Sequence, residues 1–261
     1  MIARRTNGLR ALALLSAACL LGPGALADTV VDEATTDVGD HRIQAQFSDL
    51  LGAEVSPELA QVFAPEEMLR WEVVVPEAQR EAPSGLLVYI SPTDTGTIPR
   101  TWRRLLDSHN LIWIAANASG NSRPVVQRVA YAVMAVPLLE ERYDVDSDRI
   151  YLAGFSGGAR VAGLAIAAYP HLFDGAVYIG GAEMWQADRP PPDMLRMAQN
   201  RFVFLVGSED GNRAAARQVH SAYAAAGVER LDMMVVRRMG HVLPDARKMH
   251  DALEFLNLTN P

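Results

Sequence analysis

The amino-acid sequence predicts a single α/β domain in which a mostly parallel central sheet carries helices on both faces. Three observations lead to this fold class. From about residue 70 onward, short runs rich in β-branched and aromatic residues alternate with longer segments of helical periodicity. Most of the short runs are apolar throughout, as expected for strands that are buried on both faces of a parallel sheet. The 261 residues contain no internal repeat and no long linker, which suits one domain of the larger α/β kind.

Seven apolar runs are predicted to be strands, and five segments between or after them are predicted to be helices. The predicted strands cover residues 71–75, 86–90, 111–115, 150–153, 176–179, 202–206 and 231–236. The predicted helices cover residues 99–108, 124–142, 158–169, 214–226 and 244–256. Pro170 ends the third helix, and Gly227 suits the C-terminal cap of the fourth. This alternation implies parallel neighbouring strands joined by helical crossovers.

The N-terminus has the pattern of a secretory signal peptide over residues 1–27. Three arginines precede the apolar stretch 11–21, and Ala25-Leu26-Ala27 forms a small-x-small cleavage site before Asp28. The apolar stretch is shorter than a membrane-spanning helix requires, and no later segment approaches that length. The sequence therefore predicts an exported chain without a transmembrane segment, either periplasmic or secreted.

Cys19 is the only cysteine of the chain and lies within the predicted signal. Cleavage after Ala27 removes it, so the mature chain is predicted to have neither a disulfide nor a thiol nucleophile. Lipid attachment at Cys19 is the alternative. Ser16 disfavours it, because lipoprotein signals usually have an aliphatic residue at that place.

The charge of the mature chain argues against nucleic acid and anionic membrane surfaces as partners. The full chain has a net charge of −7, and loss of the signal leaves 21 basic against 31 acidic residues, a net charge of −10.

Residues 28–65 form an N-terminal segment of uncertain structure, with an acidic and loose stretch over 28–40 and a short helix within 47–63. Residues 66–261 form the main domain. None of these patterns specifies an oligomeric state.

The most informative motif is Gly154-Phe155-Ser156-Gly157-Gly158, which follows the predicted strand 150–153 directly. A nucleophile elbow turns so sharply from strand to helix that only glycines fit beside the serine, whose hydroxyl stays exposed. The helix that follows has small residues on its inner face, as close packing on the sheet requires. The alternatives are a plain tight turn and a phosphate-binding loop. A dinucleotide fingerprint would need G-x-G-x-x-G and an acidic residue about 20 positions later, and the chain has neither.

A serine nucleophile needs an imidazole base that a carboxylate orients. With an elbow the expected chain order is serine, acid and histidine, each after a strand. Asp210 follows the predicted strand 202–206, and His241 follows the last predicted strand. Both lie at carboxyl ends of strands, where open α/β sheets place their ligands. The sequence therefore predicts Ser156 as nucleophile, His241 as base and Asp210 as its orienting acid.

Other residues compete for two of these roles. Glu209 is the alternative acid, although the three-residue step from Gly207 favours Asp210. Five further histidines lie within or beside predicted helices, where surface or capping roles are expected, or in the N-terminal segment. They are His41, His109, His171, His220 and His250.

Acyl transfer also needs N–H donors for the oxyanion. The backbone N–H of Gly157 is expected to supply one, and the loop 91–96 to supply a second. Pro92 has no N–H, so Thr93 is the predicted donor, with an ordinary turn as the alternative. Trp102 and Trp185 are candidates for lining a substrate pocket, and a buried core position is the alternative for each.

Four segments, 86–96, 146–158, 207–210 and 240–244, together resemble the α/β-hydrolase superfamily. The stretch 143–151 and its counterpart 169–175 resemble secreted esterases of the poly(3-hydroxybutyrate) depolymerase and feruloyl esterase group. The likeness covers roughly residues 70–256 and implies the triad named above and no cofactor. We further expect no metal at the site and a small-molecule or polymeric ester as substrate. Many relatives carry His-Gly where this chain has Ser91-Pro92.

The resemblance and the triad lead to three functional hypotheses. The first is an exported serine carboxylester hydrolase that works through an acyl-enzyme. The second is a serine peptidase or acyltransferase with the same triad. The third is a non-catalytic binding protein that keeps the hydrolase fold, and the Ser91-Pro92 departure motivates it.

Overall fold

A computed structural model describes residues 31–32, 39–50, 61–80, 82–186 and 188–258. The predicted signal peptide over residues 1–27, with Cys19, lies outside these ranges and stays a prediction. The N-terminal segment 28–65 is described only in part. Within the described ranges, no helix has both the length and the apolar character needed to cross a bilayer.

The described strands form one nine-stranded sheet in the order β1-β2-β3-β5-β4-β6-β7-β8-β9. Their bounds are β1 Val31–Asp32, β2 Gly39–Gln46, β3 Met68–Val75, β4 Ser84–Ile90, β5 Leu111–Ala116, β6 Val145–Phe155, β7 Gly175–Ile179, β8 Arg201–Gly207 and β9 Leu231–Val236. Strands β4 to β9 run parallel to one another, whereas β1, β2 and β3 pair antiparallel. The predicted mostly parallel sheet is confirmed.

Strand β2 has no counterpart among the predicted strands. Along it, His41, Ile43 and Ala45 are buried and alternate with residues that are exposed or half-buried. This is the pattern of an antiparallel strand with one face exposed to solvent. Strand β2 contains too few apolar residues to be predicted from a continuous apolar run. Because β2 pairs along the whole length of β3, it extends the sheet beyond its parallel part.

The helices match the five predicted segments closely and add two short ones. Their bounds are α1 Phe47–Leu50, α2 Arg103–His109, α3 Val125–Glu140, α4 Gly157–Ala168, α5 Met194–Gln199, α6 Arg213–Ala225 and α7 Ala246–Asn257, with 3-10 turns at Glu77–Arg80 and Arg100–Trp102. Helix α1 lies within the stretch predicted to hold a short helix. Helix α5, six residues long, follows a proline-rich connection and was not predicted.

Two apolar layers hold the helices on opposite faces of the sheet. Along β4, Leu86 and Val88 pack in one layer with α3 and α4, whereas Leu87 and Tyr89 pack in the other with α7. This alternation is the two-residue period of a strand buried on both sides. The parallel strands end at a common edge, and the loops that leave this edge carry the predicted catalytic residues.

Candidate active site

Ser156 stands between the end of β6 and the start of α4 in a strained backbone conformation. Its φ is 54° and its ψ is −116°, a region that residues with a side chain seldom occupy. Its N–H donates a hydrogen bond of 2.8 Å to the Ile179 carbonyl at the end of β7. The neighbouring strand thus holds the backbone of the turn, while the hydroxyl contacts His241.

The glycines of the motif are required by close approach. A Cβ on Gly154 would lie 2.5 Å from the Gly158 carbonyl carbon, and a Cβ on Gly158 would lie 1.9 Å from the Ile90 oxygen. Further along α4, a Cβ on Gly163 would lie 2.7 Å from the Glu183 oxygen. Side chains at these positions would push the helix away from its neighbours. The Gly-x-Ser-x-Gly motif therefore follows from the geometry of the turn.

Ser156, His241 and Asp210 form one hydrogen-bonded chain. His241 Nε2 is 2.9 Å from Ser156 Oγ, and His241 Nδ1 is 2.9 Å from Asp210 Oδ2. The Asp210 side chain is 1% exposed, while that of His241 is 39% exposed. A buried carboxylate therefore orients a histidine that remains open to substrate and water. The Phe155 ring stacks on the imidazole at a centroid distance of 4.9 Å and holds its plane.

The second oxygen of Asp210 is also engaged, because Oδ1 accepts the Asn212 N–H at 2.8 Å. The Asn212 side chain in turn donates to the Gly180 carbonyl at 2.8 Å. Gly180 has a φ of +58°, and a Cβ there would come within 3.1 Å of Asp210 and 3.2 Å of His241. The space behind the acid and the histidine is thus kept open by a residue that only glycine fills without strain.

The loop that carries His241 is tied to its surroundings on two sides. On one side, the Glu209 N–H donates to the Met239 carbonyl at 3.0 Å, which joins it to the loop of the acid. On the other side, the Trp102 indole N–H donates to the Pro244 carbonyl at 3.1 Å. The first bond sets the spacing between the strand ends that supply the acid and the base, and the second anchors the loop of the base to a buried residue.

The alternative acid and the other histidines lie elsewhere. Glu209 is exposed and meets this chain of residues only through its backbone. The remaining described histidines contact other partners. His220 packs on Phe204, His171 lies beside Tyr169, His109 bonds His250, and His41 is buried in β2.

The two predicted oxyanion donors differ in whether their N–H groups already have a hydrogen-bond acceptor. Gly157 is the first residue of α4, where backbone N–H groups have no partner inside the helix. The Thr93 N–H donates to Ser91 Oγ at 3.1 Å within its own loop, and the two hydroxyl oxygens lie 2.9 Å apart. Gly157 thus offers a free donor, whereas the Thr93 N–H already has an acceptor.

Arg128 and Asn121 were not predicted as site residues. The Arg128 side chain is buried and donates to the Ser119 carbonyl at 2.9 Å, the Ser91 carbonyl at 2.8 Å and Asn121 Oδ1 at 3.2 Å. Burial lowers the pKa of Arg128 to about 10, and the nearby Asp94 charge acts in the opposite direction. One sequence signal was available, since Arg128 interrupts the apolar face of the predicted helix 124–142.

The two candidate pocket tryptophans differ in position. Trp102 is 2% exposed and packs with Tyr89 and Trp113 between the sheet and α7. It is placed in the core, the alternative left open by the sequence, and it supports the His241 loop through its indole N–H. Trp185 is partly exposed, with its ring tilted against Tyr223 at 4.9 Å.

One group of described residues has ligand atoms close enough for a metal ion. His109, His250 and Glu254 bring such atoms within 4.8 Å of one another, far along the chain from the elbow. His109 Nε2 lies 2.8 Å from His250 Nδ1, so these two nitrogens share a hydrogen bond. Ser156, His241 and Asp210, by contrast, form a set suited to nucleophilic acyl transfer without a metal.

No protein-family model matches the chain, and comparison with curated proteins finds no relative. Solved structures resemble it with identities of 10 to 16%. A feruloyl esterase module from Clostridium thermocellum complexed with sinapinate superposes with a TM-score of 0.61 at 10% identity, over 92% of this chain and 94% of that one. An S-formylglutathione hydrolase from Staphylococcus aureus superposes with a TM-score of 0.54 at 16% identity, over 85% of this chain and 97% of that one.

Larger proteins also contain this fold. The Porphyromonas gingivalis dipeptidyl peptidase 4 superposes with a TM-score of 0.55 at 15% identity, over 73% of this chain. The chain spans 33% of that protein and 61% of a thermostable esterase that it also resembles. At such identities the likeness concerns the fold, and it confirms the fold that the sequence motifs predicted.

Proposed function

We propose that this chain, which has the α/β-hydrolase fold, is an exported serine hydrolase that cleaves carboxylic esters through an acyl-enzyme on Ser156. The observation that carries the proposal is the continuous chain from Ser156 Oγ through His241 to the buried Asp210, with both contacts at 2.9 Å. The proposed export rests on the predicted signal over residues 1–27.

In the proposed acylation step, His241 Nε2 takes the proton of Ser156 Oγ as the oxygen attacks the ester carbonyl carbon. The carbonyl π electrons move to the oxygen, which accepts the Gly157 N–H. Collapse of the tetrahedral intermediate breaks the bond to the alcohol oxygen, and the imidazolium returns the proton to that oxygen. Asp210 stays ionised and stabilises the imidazolium.

Water then repeats the sequence on the acyl-enzyme, with His241 as base, and releases the acid and free Ser156. The exposure of His241 supports water as the acceptor, because 39% of its side chain is accessible in the absence of substrate. Esters are favoured as substrates because a site whose base is this accessible gives little help to the poorer amine leaving group of an amide. A single chromogenic pair, an ester and an anilide of one acid, tests this preference.

The decisive experiment compares Ser156→Ala with wild-type enzyme on an ester panel and with a fluorophosphonate probe. Wild-type protein is expected to be labelled once per chain at Ser156. The variant is expected to lose labelling and on the order of 10⁶-fold in kcat, because removal of the nucleophile abolishes acyl-enzyme formation. Ser122→Ala is the matched control, since Ser122 is an exposed serine on a nearby loop.

Ester turnover that persists in folded Ser156→Ala protein would refute the acyl-enzyme. A wild-type protein that neither turns over esters nor reacts with the probe would support the non-catalytic hypothesis. A higher rate on the anilide than on the ester would instead support a peptidase.

A further inference from the structure

The side chain of Asn121 lies against the residue that supplies the first oxyanion donor. If Gly157 carried a Cβ, that atom would lie 2.2 Å from Asn121 Oδ1, 2.8 Å from Cγ and 3.0 Å from Nδ2. The whole amide group therefore contacts Gly157, the residue that follows the nucleophile. This contact joins the loop after β5 to the first turn of α4.

The orientation of the amide follows from its partner. Arg128 Nη1 lies 3.2 Å from Asn121 Oδ1, and a guanidinium can only donate, so the amide oxygen must face Arg128. Within the part of the chain that the structure describes, Asn121 Nδ2 has no hydrogen-bond partner. Asn121 is an exposed residue, so its two N–H groups are available to a ligand.

Arg128 holds this amide and the neighbouring loop in one unit. Its guanidinium donates to the Ser119 and Ser91 carbonyls, one on each of the two loops beside the elbow. The loops are also joined by the Asn121 N–H, which donates to the Pro92 carbonyl at 3.0 Å. A buried cation bonded to the amide oxygen polarises the amide and strengthens the donors on its nitrogen.

In the loop after β4, the predicted second donor is already engaged. Pro92 has no N–H, and the Thr93 N–H is bonded to Ser91 Oγ. We infer that the side-chain amide of Asn121, oriented by Arg128, donates the second hydrogen bond to the oxyanion, beside the Gly157 N–H. The inference rests on the proposed function, because an oxyanion forms only if Ser156 attacks a carbonyl. No proton is transferred from Asn121, and its role is to stabilise the negative charge of the tetrahedral intermediate.

Asn121→Asp tests this role with little change of shape. The aspartate keeps an oxygen for Arg128 but replaces the donor nitrogen with a second acceptor. We expect kcat to fall by about 10²- to 10³-fold, the range found when one oxyanion donor is removed, with KM within about threefold of wild type. Affinity for an arylboronic acid, which forms a tetrahedral adduct on serine, should fall in parallel with kcat. A role limited to protein stability would lower the unfolding temperature and leave kcat and boronate affinity of the folded protein unchanged.

Ser122→Asp is the matched control, since it adds the same charge at the next, exposed position of the loop. It is expected to stay within threefold of wild type in kcat. Thermal unfolding verifies that each variant is folded. If Asn121→Asp does not fold, kcat and boronate affinity are measured for Asn121→Ala instead, and the same losses are expected.

The inference is overturned if a folded Asn121 variant keeps kcat and boronate affinity within threefold of wild type. It is also overturned if Ser122→Asp loses as much as Asn121→Asp. Both outcomes require a wild type that turns over esters and a Ser156→Ala variant that does not. If wild type itself is inactive, the proposed function fails, which is a separate result.

Discussion

Two histidine clusters in this molecule have similar contact geometry and opposite capabilities. His241, after β9, bonds on both ring nitrogens at 2.9 Å, to Ser156 and Asp210. His109, at the end of α2, also bonds on both ring nitrogens, to His250 at 2.8 Å and Asn257 at 3.2 Å. The imidazole side chains are 39% and 3% exposed, respectively.

The difference in capability lies in what is hydrogen-bonded to Nδ1, since Glu254 Oε1 lies 3.6 Å from His109 Nδ1, beyond hydrogen-bond reach. Asp210 is an acceptor, so His241 Nδ1 carries the proton and Nε2 keeps a lone pair for the Ser156 hydroxyl. In the other cluster, Asn257 Oδ1 already accepts the Tyr151 hydroxyl at 3.0 Å and Arg149 Nε at 3.3 Å. Its amide nitrogen therefore faces His109 Nδ1 and donates to it.

It follows that the lone pair of His109 is used internally. Its Nε2 carries the proton and donates to His250 Nδ1, so neither nitrogen of His109 can act as a base toward a ligand. A short histidine contact is thus no sign of catalysis by itself. The sign is a buried acceptor on Nδ1 together with an accessible lone pair on Nε2.

The largest expected contrast is between His241→Gln and His109→Gln. Loss of the base is expected to lower kcat by about 10⁵- to 10⁶-fold, because the serine hydroxyl is then not activated. His109→Gln is expected to keep kcat within threefold, since its cluster makes no contact with Ser156, and to lose about 1–3 kcal/mol of stability through unpaired buried groups. Steady-state kinetics and denaturant unfolding measure the two effects. A folded His109→Gln protein with a large loss of kcat would contradict the separation of the clusters.

The next contrast exchanges the groups that face Nδ1. In Asp210→Asn, the Asn212 N–H still requires an acceptor, so the new amide nitrogen faces His241 and selects the wrong tautomer. We expect a loss of about 10⁴-fold in kcat at an unchanged fold. Asn257→Asp makes the reverse exchange beside His109 and is expected to leave kcat within threefold. An equal loss in both variants would show that the His109 cluster also acts on the reaction.

The smallest expected effect is on the pH dependence of stability. Burial, followed by the charge of His250 and that of Arg149, lowers the pKa of His109, while Glu254 acts in the opposite direction. The unfolded chain, whose histidines titrate near their ordinary value of about 6.5, therefore binds a proton more readily than the folded chain. Stability from this group is complete above that value and is lost as the pH falls through it, with a slope of at most about 1.4 kcal/mol per pH unit.

Chemical denaturation of wild type and His109→Gln between pH 5 and 8 isolates this contribution. The difference in unfolding free energy between the two proteins should shrink toward low pH, because only wild type loses the His109 contribution. A difference that stays constant across this range would show that His109 titrates alike in the folded and unfolded chains.

The parts of the fold that the sequence predicted are those with local physical causes. Fully apolar runs and helical periodicity located the parallel strands and the five longer helices. Strand β2 was missed because its alternating polar residues carry a weaker signal, and its place depends on pairing with β3. Helix α5 was missed because six residues after a proline-rich connection contain less than two turns of pattern.

The candidate site likewise has one part with local physical causes and one part that depends on contacts between distant residues. Ser156 and its flanking glycines could be predicted from the sequence, because the turn is built from consecutive residues and tolerates no Cβ at its tight positions. The position of Asn121 beside Gly157 could not be predicted from the sequence, because that contact joins two segments separated by 36 positions in the chain. Trp102 is a similar case, since only the packed structure distinguishes a core residue from a pocket residue.

Local patterns in the sequence specify the elbow, the class of fold and the order in which serine, acid and histidine follow their strands. These depend on backbone sterics and on the side-chain period of strands and helices, which act over a few residues. The packing of distant elements instead settled which of the candidate histidines meets Ser156, which of the two candidate acids lies behind it and which loop atoms lie beside Gly157. Those depend on the order of strands β5-β4-β6-β7-β8-β9 in the sheet and on distances between loops, and no short-range pattern encodes either.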